Sequence, residues 1–70
     1  MSEKDTDIVY FISFCLEQYK IHKGISGTEV SKLFDQYHVY DYLTDNYDVL
    51  HTQGHQWLNS DIDQFIKEQK

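Results

Sequence analysis

The sequence predicts an all-α fold, a compact bundle of three to four helices over about residues 6–22, 27–38, 39–53 and 60–69. Three observations carry this. Apolar residues recur at helical spacing in each of those runs. The 70 residues contain no proline, so no helix is interrupted covalently. Gly24 and Gly54, together with Ser26 and Ser60, stand between the runs as stop and start signals.

The first run is the longest and the most apolar. Ile8, Phe11, Ile12, Cys15, Leu16 and Tyr19 form one wide stripe, and Tyr10, Phe14 and Ile21 form a second, rotated from the first. A helix apolar over most of its circumference has to be covered on several sides. The expectation is a central helix wrapped by the remaining chain or by a second copy of it. Residues 1–6 are polar and expected to fray, with Asp5 or Thr6 capping the helix. Lys20, His22 and Lys23 fall in its last turn, where cations are favoured, and Gly24 ends it.

Ser26-Gly27-Thr28-Glu29 fits a capping box that opens the second helix. Val30, Leu33, Phe34 and Tyr37 follow at i, i+3, i+4 and i+7. The third run places Val39, Leu43, Tyr47 and Leu50 on one face and Asp41, Asp45 and Asp48 on the other. Like charges at that spacing weaken an isolated helix, so this run depends on packing and is either one helix or two. Gly54 is expected to end it in the left-handed conformation. His55-Gln56-Trp57-Leu58 reads as a loop or a short extended pass that brings Trp57 and Leu58 over the core. Asn59 or Ser60 then caps a last short helix with Ile62, Phe65 and Ile66 on its inner face.

Seventy residues make a single domain, residues 1–70, with a small core. One cysteine excludes an intrachain disulfide, and its place on the apolar stripe fits a buried thiol in a reducing cytoplasm. The start of the chain lacks the basic region of a secretory signal, and no run reaches the roughly 20 apolar residues of a membrane span. The expected location is the cytoplasm. The net charge of −6 lies wholly within residues 35–63, which hold six aspartates and no lysine. Such a segment disfavours nucleic acid and anionic membranes as partners and suits a cationic protein surface.

Several pieces of the chain read together: Phe14-Cys15-Leu16-Glu17-Gln18-Tyr19-Lys20, Ser26-Gly27-Thr28-Glu29-Val30, Leu33-Phe34, Tyr42-Leu43, Tyr47-Asp48-Val49-Leu50-His51-Thr52-Gln53-Gly54 and Asp61-Ile62. In order and spacing they resemble a family of short bacterial proteins known only as a domain of unknown function. The resemblance covers nearly the whole chain and implies no activity, cofactor or catalytic residue. It implies a gene that neighbours one for an ADP-ribosyltransferase-like toxin, and so a partner or neutralising protein.

The residues themselves point first to a non-enzymatic protein-binding module, acting as a homo-oligomer or a small accessory subunit. Tyr10 and Phe14 are its expected anchors, with Asp41, Asp45 and Asp48 steering a basic partner. Tyr40, Tyr42 and Trp57 are candidates to extend the patch, or equally to cover an ordinary core. A second reading is a small metal-dependent or enzymatic domain using Asp48, His51 and His55, although the expected helix end at Gly54 separates the two histidines. A third is an acidic mimic of nucleic acid. Helices two and three have the outline of a helix-turn-helix, but its recognition helix would turn three aspartates toward phosphate. No nucleophile–base pair, phosphate loop or cofactor motif is present, so no catalytic residue, cofactor or metal is assigned.

Overall fold

A computed structural model describes residues 3–70, all of whose regular structure is helical. The first helix, α1 (Glu3–Lys23), starts earlier than its periodicity suggests. Asp5 and Thr6 lie inside its first turns and do not cap it from outside. Residues 3–6 are helical where fraying was expected, and residues 1 and 2 lie outside the described region. Lys4 Nζ reaches Asp48 Oδ2 at 3.4 Å and ties the added turn to the body of the protein. At the other end the chain stops as predicted. Gly24 takes φ +66, its N–H meets the Ile21 carbonyl at 3.3 Å, and the Ile25 N–H meets that of Lys20 at 3.3 Å. This is the paired closure of a helix ending in a left-handed residue.

The second helix, α2 (Gly27–Gln36), is capped by Ser26, whose Oγ accepts the Glu29 N–H at 3.1 Å. It ends before the expected residue 38. Tyr37 leaves the helical region, and His38 adopts φ 59, which redirects the chain into α3 (Val39–Asp45).

The helical run over 39–53, open to one helix or two in the sequence, is two: α3 and α4 (Tyr47–Leu50), divided at Asn46. Asn46 has φ −112 and ψ 17, and its Nδ2 donates to the Tyr42 carbonyl at 2.9 Å. An asparagine side chain that bonds a backbone carbonyl one turn back competes with helix propagation. The mutual repulsion of Asp41, Asp45 and Asp48 gives the continuous helix little to resist with.

The last helix, α5 (His55–Gln69), begins five residues before the expected start. Gly54 is its N-cap, with φ −73 and ψ 160, and not a left-handed end to the preceding helix. Asn59 and Ser60 are therefore interior and cap nothing. The pattern that reveals the longer helix is Leu58, Ile62, Phe65 and Ile66 at i, i+4, i+7 and i+8. Leu58 is buried, as expected, but Trp57 remains 48% exposed.

The core is one cluster built from every helix: Phe11, Cys15, Tyr19, Val30, Phe34, Val39, Leu43, Leu50, Leu58, Ile62 and Ile66. Phe34 lies at its centre, with ring centroids 5.5 Å from Tyr19 and 5.6 Å from Tyr40. Tyr42 stacks on Phe65 at 4.2 Å, and Phe11 meets Tyr47 edge-on at 5.5 Å. Tyr40 and Tyr42 thus belong to the rim of the core and not to an exposed aromatic patch.

Asn59 is the buried polar residue among the described residues, and its Oδ1 has no hydrogen-bond partner there. A buried acceptor left unpaired costs about 1–3 kcal/mol. Asn59→Leu is expected to raise the urea midpoint by the equivalent of about 1 kcal/mol, allowing for the extra volume the helix must accept. An unchanged or lowered midpoint would mean that the amide is satisfied in solution.

Candidate interaction surface

Helix geometry fixes what α1 leaves outside. At 100° per residue, Phe11, Cys15 and Tyr19 share the side that packs against α2, α3 and α5. Tyr10, Phe14, Glu17 and Ile21 share a line about 130° round the helix from it. Their large apolar members are uncovered: Tyr10 is 72% exposed, Phe14 43% and Ile21 66%. Val9, at 53%, is exposed as well but lies well round the helix from this line. Of the two coverings expected for α1, the remaining chain supplies one side only, and the other side is left open in the single chain. Glu17 interrupts the apolar row and is paired with Lys20 at 3.0 Å.

Asp41, Asp45 and Asp48 are all exposed. Of the three, Asp48 is joined to α1 through Lys4, and Asp41 lies 3.9 Å from His38 Nδ1. The charge of Asp48 is thus partly offset by Lys4. The two halves of the expected surface, Tyr10 with Phe14 and the three acids, lie on different helices, and the Lys4–Asp48 pair is one link between them.

His51 and His55 are not brought together with Asp48. His51 Nδ1 sits 2.7 Å from the Tyr47 carbonyl, a contact that requires the proton on Nδ1, and its ring stacks on Tyr47 at 4.5 Å. His55 is the exposed first residue of α5. Among the described residues no group of three His, Cys, Asp or Glu side chains is placed to hold a metal ion. The Cys15 thiol is 1% exposed, and burial pushes its pKa up to about 12, which suits core packing and not nucleophilic chemistry.

The most connected polar group is one that the sequence hides. Asp63, which reads as a helix-start acid, is interior to α5 and binds three side chains of α1. Tyr19 Oη donates to Oδ1 at 2.5 Å, Lys23 Nζ lies 3.1 Å from Oδ1, and His22 Nε2 lies 2.9 Å from Oδ2. Burial raises the carboxyl pKa, but the three hydrogen bonds and the Lys23 charge outweigh it and hold Asp63 below the usual range. A similar bond joins Tyr42 Oη to Asp61 Oδ2 at 2.7 Å; burial and this bond push the Tyr42 pKa up to about 12. These carboxylate–tyrosine contacts lock helices together. The cleft beside Tyr19, Lys23 and Asp63 holds about 130 Å³, less than a typical small-molecule pocket of at least about 300 Å³. A wider depression of about 360 Å³ over Ser31, Lys32 and Tyr40 is shallow and open.

No helix among the described residues is long and apolar enough to cross a membrane. Residues 10–69 match a family model described as a protein of unknown function (DUF3791). No curated protein and no solved structure matches the chain.

Proposed function

The chain belongs to this DUF3791 family, and from that premise we propose that it is a non-enzymatic protein-binding module whose contact surface is the outward row of α1. The observation that carries the reading is the alignment of Tyr10, Phe14 and Ile21, each at least 43% exposed, along one side of the longest helix. Large apolar side chains scattered singly on a surface need no explanation, whereas several in register mark a contact region. Tyr10 and Phe14 are the anchors, since aromatic side chains dominate interface energetics. Asp41, Asp45 and Asp48 favour a partner with a basic face and act mainly on the rate of encounter. The role that fits is a self-associating unit or an accessory or neutralising subunit of a bacterial gene pair.

The test is retention of a protein partner by the tagged chain at physiological salt, comparing wild type with Tyr10→Glu and Phe14→Glu. Both variants are expected to keep their helical circular dichroism and to weaken binding at least about 30-fold, the loss typical of an anchor. Asp41→Asn with Asp45→Asn is expected to slow association, more so at low salt. Binding unaffected by either aromatic substitution would remove the α1 row from the interface.

A further inference from the structure

We propose that the depression between α2 and α3 is a binding site for a small neutral polyol, of the size and chemistry of one sugar ring. It shares no residue with the row on α1 and stands independently of it. Its lining is Thr28, Ser31, Lys32, Asp35 and Tyr40. At 100° per residue the four α2 positions fall within an arc of about 100°, while Val30 and Phe34 lie on the buried side of the same helix. Tyr40, on α3, closes the depression from across the turn at His38. The volume of about 360 Å³ is at the lower end of the roughly 300–1,000 Å³ that hold small ligands.

The lining selects the chemistry. Sites for apolar ligands are walled mainly by hydrophobic side chains. Here every lining side chain ends in a hydroxyl, an ammonium or a carboxylate. Lys32 only donates hydrogen bonds and Asp35 only accepts them, whereas Thr28, Ser31 and Tyr40 do both. Lys32 and Asp35 stand three residues apart on α2, yet neither is in an ion pair among the described residues, so both are available to a ligand. A ligand with net charge would be attracted by one and repelled by the other. A sugar hydroxyl donates and accepts, so adjacent hydroxyls satisfy the ammonium and the carboxylate together. One wall is fixed in advance. The Ser31 and Tyr40 hydroxyl oxygens are 3.0 Å apart, so one proton closes the pair and the other is left for a ligand. The Tyr40 ring is braced edge-on against the fully buried Phe34 at 5.6 Å, so binding orders little more at that wall. Because the depression is open, one side of the ligand stays in water, and the expected dissociation constant is on the order of millimolar.

The experiment is a titration of the isotope-labelled full chain with D-glucose and with D-ribose, read by backbone amide shifts, with glycine and inorganic phosphate as separate arms. At least one sugar is expected to give saturating shifts centred on residues 28–35 and 40, and neither glycine nor phosphate is expected to saturate there. Asp35→Ala is expected to weaken binding at least about fivefold, and Tyr40→Phe, which keeps the ring against Phe34, at least about twofold. Glu29→Gln removes an exposed acid of α2 that lies off the arc and is expected to leave binding unchanged. Shifts that never saturate with either sugar, or that scatter over the surface, overturn the site. Saturation by glycine or by phosphate in place of a sugar overturns the neutral polyol and assigns the depression to a charged ligand. Equal losses in Glu29→Gln and Asp35→Ala would trace the effect to overall charge and overturn the role of the arc.

Discussion

Phe34→Ala is expected to remove most of the stability of the domain. Phe34 is fully buried and touches the rings of Tyr19 and Tyr40, so its loss opens a cavity beneath α1, α2 and α3 together. Truncating a buried phenylalanine costs about 3–5 kcal/mol. A domain of 70 residues has roughly 3.5–10 kcal/mol in all, at the usual stability per residue. Differential scanning calorimetry should show the transition lowered by at least about 12 °C, or absent. Val49→Ala is the control: Val49 is 65% exposed, and its truncation should cost less than about 0.5 kcal/mol. Equal losses at the two sites would mean that Phe34 is not the centre of the core.

That Phe34 belongs inside was legible in the sequence, and the reason is instructive. Val30, Leu33, Phe34 and Tyr37 repeat at helical spacing behind a serine cap, so local and global signals agree. The same agreement located the end of α1 at Gly24. Boundaries failed where one residue type serves two purposes. Glycine both ends helices in the left-handed region and caps helix starts in the extended one, and Gly54 took the second role. Asn46 gave no breaking signal that periodicity could register, because Leu43 and Leu50 stay in phase on either side of it. The outward row of α1 was visible as a surplus of apolar residues, but which stripe would face out depended on how much chain was left to cover it. The acids were read by charge alone. That reading placed Asp41, Asp45 and Asp48 outside but missed Asp63, whose partners lie forty or more residues away in sequence.

Asp63→Ala is expected to cost about 2 kcal/mol, with a pH signature that identifies the cause. The carboxylate holds the last turns of α1 to α5 through Tyr19, His22 and Lys23. These contacts are unequal. The His22 and Lys23 side chains are 38% and 43% exposed, so water and salt screen their attraction. Tyr19 is 2% exposed, and without Asp63 its hydroxyl would be left buried with no acceptor. A hydrogen bond to a charged group is worth roughly 1.5–3 kcal/mol. Most of the loss should therefore come from the tyrosine, and Asp63→Ala should cost much less in a Tyr19→Phe background. Because the folded carboxyl is held below its ordinary pKa of 3.8, its contribution is complete above that value and disappears as pH falls through the lower folded one. The gap in urea midpoint between wild type and Asp63→Ala should be constant near neutral pH and should narrow progressively below about pH 4. A gap that persists unchanged into acid would trace the effect to lost packing and not to the charge. A Tyr19→Phe background that leaves the cost of Asp63→Ala undiminished would shift the weight to His22 and Lys23, and added salt should then erode the Lys23 share.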